Sequence, residues 1–188
     1  MSEPEIREYA QEKAFHPQTL ARWLAWEQPD RDALYRLALP LKIGENHLRD
    51  LMDWLEEISL RDGLQVRQIL GNGAVSDVES DPRLGRADKL KRIKEQVRRL
   101  RFPRLAQTED SIRARIQELK LQPEIRLTVP AGLEGGRLRI EFDAASQDEL
   151  QRLIAKLADA TGKEVVREIF GMLAGCTPED NRQGGERK

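Results

Sequence analysis

The spacing of apolar residues departs from the helical pattern in one region of this chain, and that departure limits the folds open to it. In segments such as "HLRDLMDWLEEI" apolar residues recur three and four positions apart, which places them on one face of an amphipathic helix. After Pro123 the segments "EIRLTV" and "RLRIEF" alternate apolar and polar residues, as half-buried β-strands do. The glycine-rich "PAGLEGG" between them has hairpin length. We therefore predict a mostly helical α+β protein with one β-hairpin.

Breaks in composition divide the chain into five segments. Residues 1–14 are polar and are predicted to be a flexible N-terminus, and residues 15–80 to be a helical domain. Residues 81–103 contain a linker and a basic connecting helix. Residues 104–175 are predicted to form a helix–β-hairpin–helix dimerisation domain, in which Ser146 and Glu149 have the spacing of a capping box. Residues 176–188 are polar and are predicted to be a disordered tail.

The composition argues against several classes of protein. Hydrophobic residues make up 39 % of the chain and charged residues 35 %, which is typical of a soluble, helix-rich protein. The single cysteine, Cys176, excludes an internal disulfide framework and a paired-cysteine metal motif. No apolar run approaches the roughly 18 residues of a membrane span. The start "MSEPEIREYAQEK" is acidic and unlike a secretory signal, so a cytoplasmic location is expected.

No catalytic motif is recognisable in the sequence. The motifs sought were a phosphate-binding loop, a nucleophile elbow, a zinc-protease helix and a histidine–cysteine cluster. The two histidines, His16 and His47, belong to separate predicted helices and have no partner at ligand spacing. We therefore predict a protein that is not an enzyme and that has neither a cofactor nor a metal site.

One region has a strong charge asymmetry. Between Arg83 and Arg104 there are ten basic residues against two acidic ones, Asp88 and Glu95. A helix with such side chains can lie along a nucleic-acid backbone and bind it without reading sequence. The same residues could instead form a solvated face, or dock onto the acidic N-terminal helices of the same chain.

The segment "LALPLKIGENHLRDLMDWL" was considered as a helix-turn-helix, since two predicted helices meet at a glycine-containing turn. Pro40 lies at the junction of the two predicted helices, which is unfavourable for this motif. The second helix also carries acidic residues, including Asp50 and Glu57, which phosphates would repel. This interpretation is the weaker one.

The predicted hairpin gives a physical reason to expect self-association. Two strands alone are marginally stable in water, and each leaves unpaired backbone N–H and C=O groups along its outer edge. Pairing two hairpins across a two-fold axis would form one four-stranded sheet backed by helices.

The region "LAQTEDSIRARIQELKLQPEIRLTVPAGLEGGRLRIEFDAASQDELQRLIAKL" resembles the C-terminal domain of ParB-type chromosome- and plasmid-partition proteins. In that family a helix leads into a strand, a glycine-rich turn, a second strand and a helix that opens with a serine. The residues that fit the family's pattern are Gly136, Leu138, Ile140, Phe142, Ser146, Asp148, Glu149, Leu150 and Ile154. "EEISLRDGLQVRQIL" is similar, more weakly, to another short segment of the family.

The resemblance implies a homodimer formed through the hairpin and the following helix, with non-specific DNA contact as in some family members. The lysines that are common on the family's DNA-facing sheet surface are not evident in this sequence. Arg126, Arg137 and Arg139 could substitute for them, although Glu134 and Glu141 dilute their charge. The family's N-terminal nucleotide-binding domain and its G-E-R-R motif have no counterpart in this sequence. Nucleotide-driven clamp closure is therefore not part of the prediction.

The leading hypothesis is a non-enzymatic, ParB-like, DNA-associated homodimer that dimerises through the C-terminal hairpin and contacts the DNA backbone through the basic helix. The alternative is a protein–protein adaptor or scaffold dimer that binds no nucleic acid. Partners are thus a second copy, the DNA backbone, or an unspecified protein, and no membrane. The predicted DNA-binding residues are Lys89, Arg92, Arg98, Arg99, Arg101, Arg126, Arg137 and Arg139. The predicted dimer interface consists of Leu138, Ile140, Phe142, Leu150, Leu153, Ile154 and Leu157.

Overall fold

The computed structural model describes residues 3–175, so the predicted disordered tail (176–188) lies outside the described residues. Within 3–175 the chain forms ten α-helices and one two-stranded antiparallel sheet, which confirms a mostly helical α+β protein. It divides into unit 1, residues 3–103, and unit 2, residues 104–175. None of the helices described has both the length and the apolar content needed to cross a bilayer.

Both units consist mainly of helices. Unit 1 contains α1 (Glu3–Glu12), α2 (Pro17–Leu24), α3 (Gln28–Leu41), α4 (Glu45–Asp62), α5 (Val66–Leu70), α6 (Gly73–Ser80) and α7 (Arg86–Arg101). Unit 2 follows with α8 (Pro103–Glu118), β1 (Arg126–Thr128), β2 (Arg139–Glu141), α9 (Gln147–Thr161) and α10 (Glu164–Leu173).

Helix α4 organises the core of unit 1 by packing against α2, α5 and α7. The five apolar residues at helical spacing are buried, as that spacing predicts: Leu48, Leu51, Met52, Leu55 and Ile58. Each such burial is worth about 1.5–3 kcal/mol relative to exposure. The helix ends at Gly63, whose φ of +68° favours glycine because other residues are strained there.

Residues 3–12 form a helix, so the predicted flexible N-terminus is wrong for these residues. Ile6 and Tyr9 are buried, and the Tyr9 hydroxyl donates to the carbonyl oxygens of Ala38 (3.0 Å) and Ile43 (2.8 Å). Burial raises the pKa of Tyr9 to about 12. The signal was the helical spacing of Ile6, Tyr9 and Ala10, which the surrounding acidic residues obscured.

Helix α7 is an integral part of unit 1 and not a separate connecting element. Ile93 and Val97 are fully buried, and Leu90 and Leu100 pack against the same core. An apolar stripe of this kind requires a cover, and α3, α4 and α6 provide it. The first unit therefore extends to residue 103, beyond the predicted boundary at residue 80.

Unit 2 contains the predicted hairpin, with strands shorter than the alternating segments suggest. β1 and β2 are three residues each, and Leu127 pairs with Ile140. Several residues of the connection adopt positive φ, among them Gly132 and Gly136. A side chain at Gly136 would be strained at φ +57° and would approach the Leu173 carbonyl oxygen to 3.2 Å.

Helices α8, α9 and α10 contribute apolar residues that, with the hairpin, form the core of unit 2: Ile112, Ile116, Leu119, Leu121, Ile125, Leu127, Leu153, Ala160, Ile169, Met172 and Leu173. The start of α9 shows the predicted cap. The Glu149 N–H donates to the Ser146 hydroxyl oxygen (3.2 Å), and the Glu149 carboxylate accepts from the Ala145 N–H (2.8 Å). The loop before β2 is held by the buried Glu109, which accepts from the Gly132 N–H (3.1 Å).

An ion-pair cluster joins the start of β1 to α9 and predicts a pH dependence for unit 2. Glu124 accepts from Lys156 (2.5 Å) and from Arg152, and these contacts lower its pKa to about 2. A carboxyl group with a depressed pKa stabilises the fold fully above its unfolded pKa, and that contribution is lost as the pH falls from about 5 toward 2. We expect carboxyl NMR titration to place the Glu124 pKa near 2, and Lys156→Gln to raise it. An ordinary pKa near 4.5 in the unaltered protein would contradict the contact.

Candidate nucleic-acid and self-association surfaces

One flank of α7 uses its positive charges to bind α4. The Lys94 ammonium lies 2.7 Å from the Asp50 carboxylate and 5.2 Å from the centre of the Trp54 ring. The Arg101 guanidinium donates to the Glu57 carboxylate (2.7 Å). These pairs are the docking onto acidic N-terminal helices that was left open as an alternative to DNA binding.

Of the other predicted phosphate-binding residues of α7, three are only partly available to solvent and one is exposed. Lys89 donates to the Glu79 carbonyl oxygen (2.6 Å), and Arg98 pairs with Glu95 one turn earlier (2.8 Å). Arg99 is half-buried, whereas Arg92 is exposed. Because the apolar stripe of α7 faces the protein, the side chains that flank it are brought against neighbouring helices.

Two further exposed cations of α7, Arg86 and Lys91, were not among the predicted binding residues. Asp88 and Glu95 are exposed as well, so the exposed residues of α7 carry both signs of charge. The position of Lys91 was readable from the sequence, since it lies on the side of the helix away from Ile93 and Val97.

The hairpin has two chemically different faces. Arg126 pairs with Glu141 and Thr128 with Arg139, so these four side chains project from one face of the sheet. Arg137, two residues before Arg139, is also exposed and lies in extended backbone (φ −110°, ψ 140°). We call Arg126, Arg137 and Arg139 the arginine face. The Arg139–Glu141 pair (2.8 Å) is solvent-exposed and therefore weak, which leaves these guanidinium groups accessible to an anion.

The opposite face of the hairpin is apolar and only partly covered. Leu127 is buried, but Ile140, directly across from it, is 41 % exposed. On α9, Leu150 and Ile154 lie one turn apart on the same side and are 40 % and 51 % exposed. We call Ile140, Leu150 and Ile154 the exposed apolar set. All three belong to the predicted dimer interface.

The other predicted interface residues lie against the core of their own unit. Leu153 is 1 % exposed, and Leu138, Phe142 and Leu157 are half-buried on that core. The apolar stripe of α9 is wider than one core requires, so one edge packs inward and the other faces solvent. The helical spacing of α10 predicts that Phe170 is buried with Ile169 and Leu173, but Phe170 is 49 % exposed and lies at the edge of that apolar stripe.

The polar side of α4 is occupied, which argues against its use as a recognition helix. Arg22 binds Asp53 (2.6 Å) and Glu56 (2.6 Å), while Asp50 and Glu57 bind α7 as described above. Pro40 lies within the last turn of α3, and a short turn at residues 42–44 leads directly into α4.

Each of the two histidines contacts a neighbouring group of the protein. His16 caps α2 by accepting from the Gln18 N–H (3.2 Å), and the His47 Nδ1 lies 3.3 Å from the Lys94 ammonium. Over the described residues, no three or more potential metal-binding side chains come together.

The C-terminal end of α7 is held by a side chain from α4. The Arg61 guanidinium donates to the carbonyl oxygens of Leu100 (2.8 Å) and Arg101, two of the last acceptors of the helix. Asp62 braces Arg61 with a further ion pair (2.7 Å), which raises the pKa of Arg61.

Comparisons of this chain with protein-family models, curated proteins and solved structures find no significant match.

Proposed function

We propose that this protein is a non-enzymatic homodimer that contacts the DNA backbone through the arginine face of its hairpin. The observation that carries the proposal is the two-sided character of the hairpin, with arginines on one face and partly exposed apolar residues on the other. The proposal also draws on the resemblance of this region to the C-terminal domains of ParB-type partition proteins.

The exposed outer edge of the hairpin supports self-association. The sheet has two strands, and β2 is exposed along its whole length. A second hairpin could supply the missing backbone hydrogen bonds and cover Ile140. Leu150 and Ile154 on α9 would extend the same interface. Unit 1 also exposes single apolar residues, but none of them lies beside an unpaired strand.

The proposed dimer would bring the arginines of two hairpins together into one surface for DNA contact. A two-fold axis that joins the hairpins would place two copies of Arg126, Arg137 and Arg139 on one continuous sheet. Each guanidinium has the shape and charge to bind a phosphate, and binding would release condensed counterions. The contact would be independent of base sequence, because phosphate contacts carry no sequence information directly.

A salt titration of a random-sequence duplex tests the DNA contact. We expect the affinity to fall steeply between about 50 and 200 mM salt. The double variant Arg126→Glu, Arg137→Glu removes about four phosphate contacts from a dimer. The slope of log affinity against log salt should therefore become shallower by about 3–4.

The matched control is Arg113→Glu, Arg167→Glu, which changes the net charge equally at exposed positions away from the hairpin. It should leave the slope within about one unit of the original value. Equal weakening by both pairs would show that overall charge alone matters. If the protein is a dimer but does not bind DNA at low salt, the proposed DNA contact is wrong.

A second candidate, a protein–protein adaptor or scaffold dimer, is favoured by a different observation. The ion pairs Lys94–Asp50 and Arg101–Glu57 use cations of α7 within unit 1. On this alternative the positive helix stabilises a helical surface that receives a protein, and DNA has no part.

A further inference from the structure

Unit 1 has a groove between α4 and α7 that the proposed DNA contact does not use. It encloses about 380 Å³ and is open to solvent on one side. Its lining residues are His47, Trp54, Ala87, Leu90, Lys91, Lys94, Glu95 and Arg98. Trp54, Ala87 and Leu90 form an apolar floor, and the charged residues form the rim.

The shape of the floor favours an aliphatic side chain over a stacked base. The Lys94 ammonium lies over the Trp54 ring at 5.2 Å and is fixed there by Asp50 and by the contact with His47. That cation occupies the ring face on which a nucleobase would stack. The half-buried Leu90 leaves an aliphatic surface beside the ring.

The rim selects for negative charge. Three cations line the groove, Lys91, Lys94 and Arg98, against one carboxylate, Glu95. Lys94 and Arg98 already have carboxylate partners, whereas Lys91 is exposed and can reach an incoming acid. A basic segment would instead be repelled at Lys91.

We propose that the α4–α7 groove binds an acidic amphipathic helix of a partner protein. A third helix can pack into the groove between two packed helices, and its apolar residues at positions i and i+4 would enter the groove. Leu90 and Trp54 receive these residues, and Lys91 pairs with a carboxylate beside them. The inference does not depend on the proposed DNA contact, because the arginine face belongs to unit 2.

Synthetic peptides titrated against the full chain test the groove. The probe is a fluorescently labelled helix of 16 residues, the length of α7, with leucines at helical spacing and glutamates on the other positions. We expect saturable binding with a dissociation constant on the order of 10–100 μM. A peptide with lysines in place of the glutamates, and one with serines in place of the leucines, should each bind at least about tenfold more weakly.

Two variants locate the binding. Lys91→Glu, at an exposed position, and Leu90→Asp, on the floor, should each weaken binding of the acidic peptide at least about tenfold. Arg36→Glu makes the same charge change at an exposed site on α3 and should leave binding within about twofold. Far-UV circular dichroism checks that each variant is folded.

Three results would overturn the inference: no saturable binding, equal binding of the lysine peptide, or no effect of Lys91→Glu. Displacement of the peptide by an equimolar DNA duplex would also overturn it, since the groove would then be a phosphate site. None of these results affects the salt titration of the arginine face, so the two proposals fail independently.

Discussion

Ile154→Asp is expected to convert the proposed dimer into a monomer at micromolar concentration. Ile154 is the most exposed member of the exposed apolar set, and in the proposed dimer it becomes buried. A carboxylate there would lose its hydration without gaining a partner. Substitutions at the centre of an interface cost upward of about 2 kcal/mol each, and a two-fold interface contains the residue twice. The dissociation constant should therefore rise at least about 100-fold.

Light scattering or sedimentation over a concentration series measures this change. Leu60→Asp is the matched control, because Leu60 is an isolated leucine on α4 that is 90 % exposed. It should leave the mass unchanged. A monomeric unaltered protein, or an Ile154→Asp variant that dimerises as tightly as the original, would contradict the proposed interface.

Trp23→Ala is expected to remove much of the stability of unit 1. The indole is fully buried, lies edge-on to the ring of Tyr9 (6.4 Å between centroids), and donates to the Arg31 carbonyl oxygen (3.3 Å). Removing a buried tryptophan leaves a cavity and costs about 3–5 kcal/mol. A typical domain has only about 5–15 kcal/mol of stability, so the variant would unfold at much lower denaturant concentration.

The three tryptophans all lie in unit 1, at positions 23, 26 and 54, so fluorescence follows that unit alone. In Trp23→Ala the other two still report its unfolding. Leu60→Ala removes side-chain atoms from an exposed position and should change the stability by less than about 0.5 kcal/mol. A loss below about 1 kcal/mol in Trp23→Ala would show that the aromatic core is not what stabilises unit 1.

The spacing of apolar and capping residues correctly predicted those helices for which the tertiary packing agrees with the local sequence. The five apolar residues of α4 that recur at helical spacing, from Leu48 to Ile58, all face the core, and Ser146 caps α9 as its spacing with Glu149 indicates. α1 was missed because ten residues with several acids resemble a solvated tail. Its stability comes from tertiary contacts of Ile6 and Tyr9 with a core that local sequence does not describe.

The candidate sites were harder to predict than the elements. Spacing shows that Arg101 and Lys94 lie on one side of α7, but it cannot show that Glu57 and Asp50, 44 residues away in each case, lie opposite them. The same difficulty applies to α9. Its apolar stripe was assigned to an interface, and only the packing of the unit separates buried Leu153 from exposed Ile154.

The hydrogen bonds from Arg61 to the last carbonyl groups of α7 affect the conformational entropy that is lost when a partner binds that helix. Terminal turns of exposed helices usually fray, and a fraying segment must be ordered when a partner arrives. With its last carbonyls bound, the final turn of α7, which carries Arg98 on the groove rim, is held in one position before contact. A preorganised surface of this kind loses less conformational freedom on association, so its contacts contribute more of their strength to affinity.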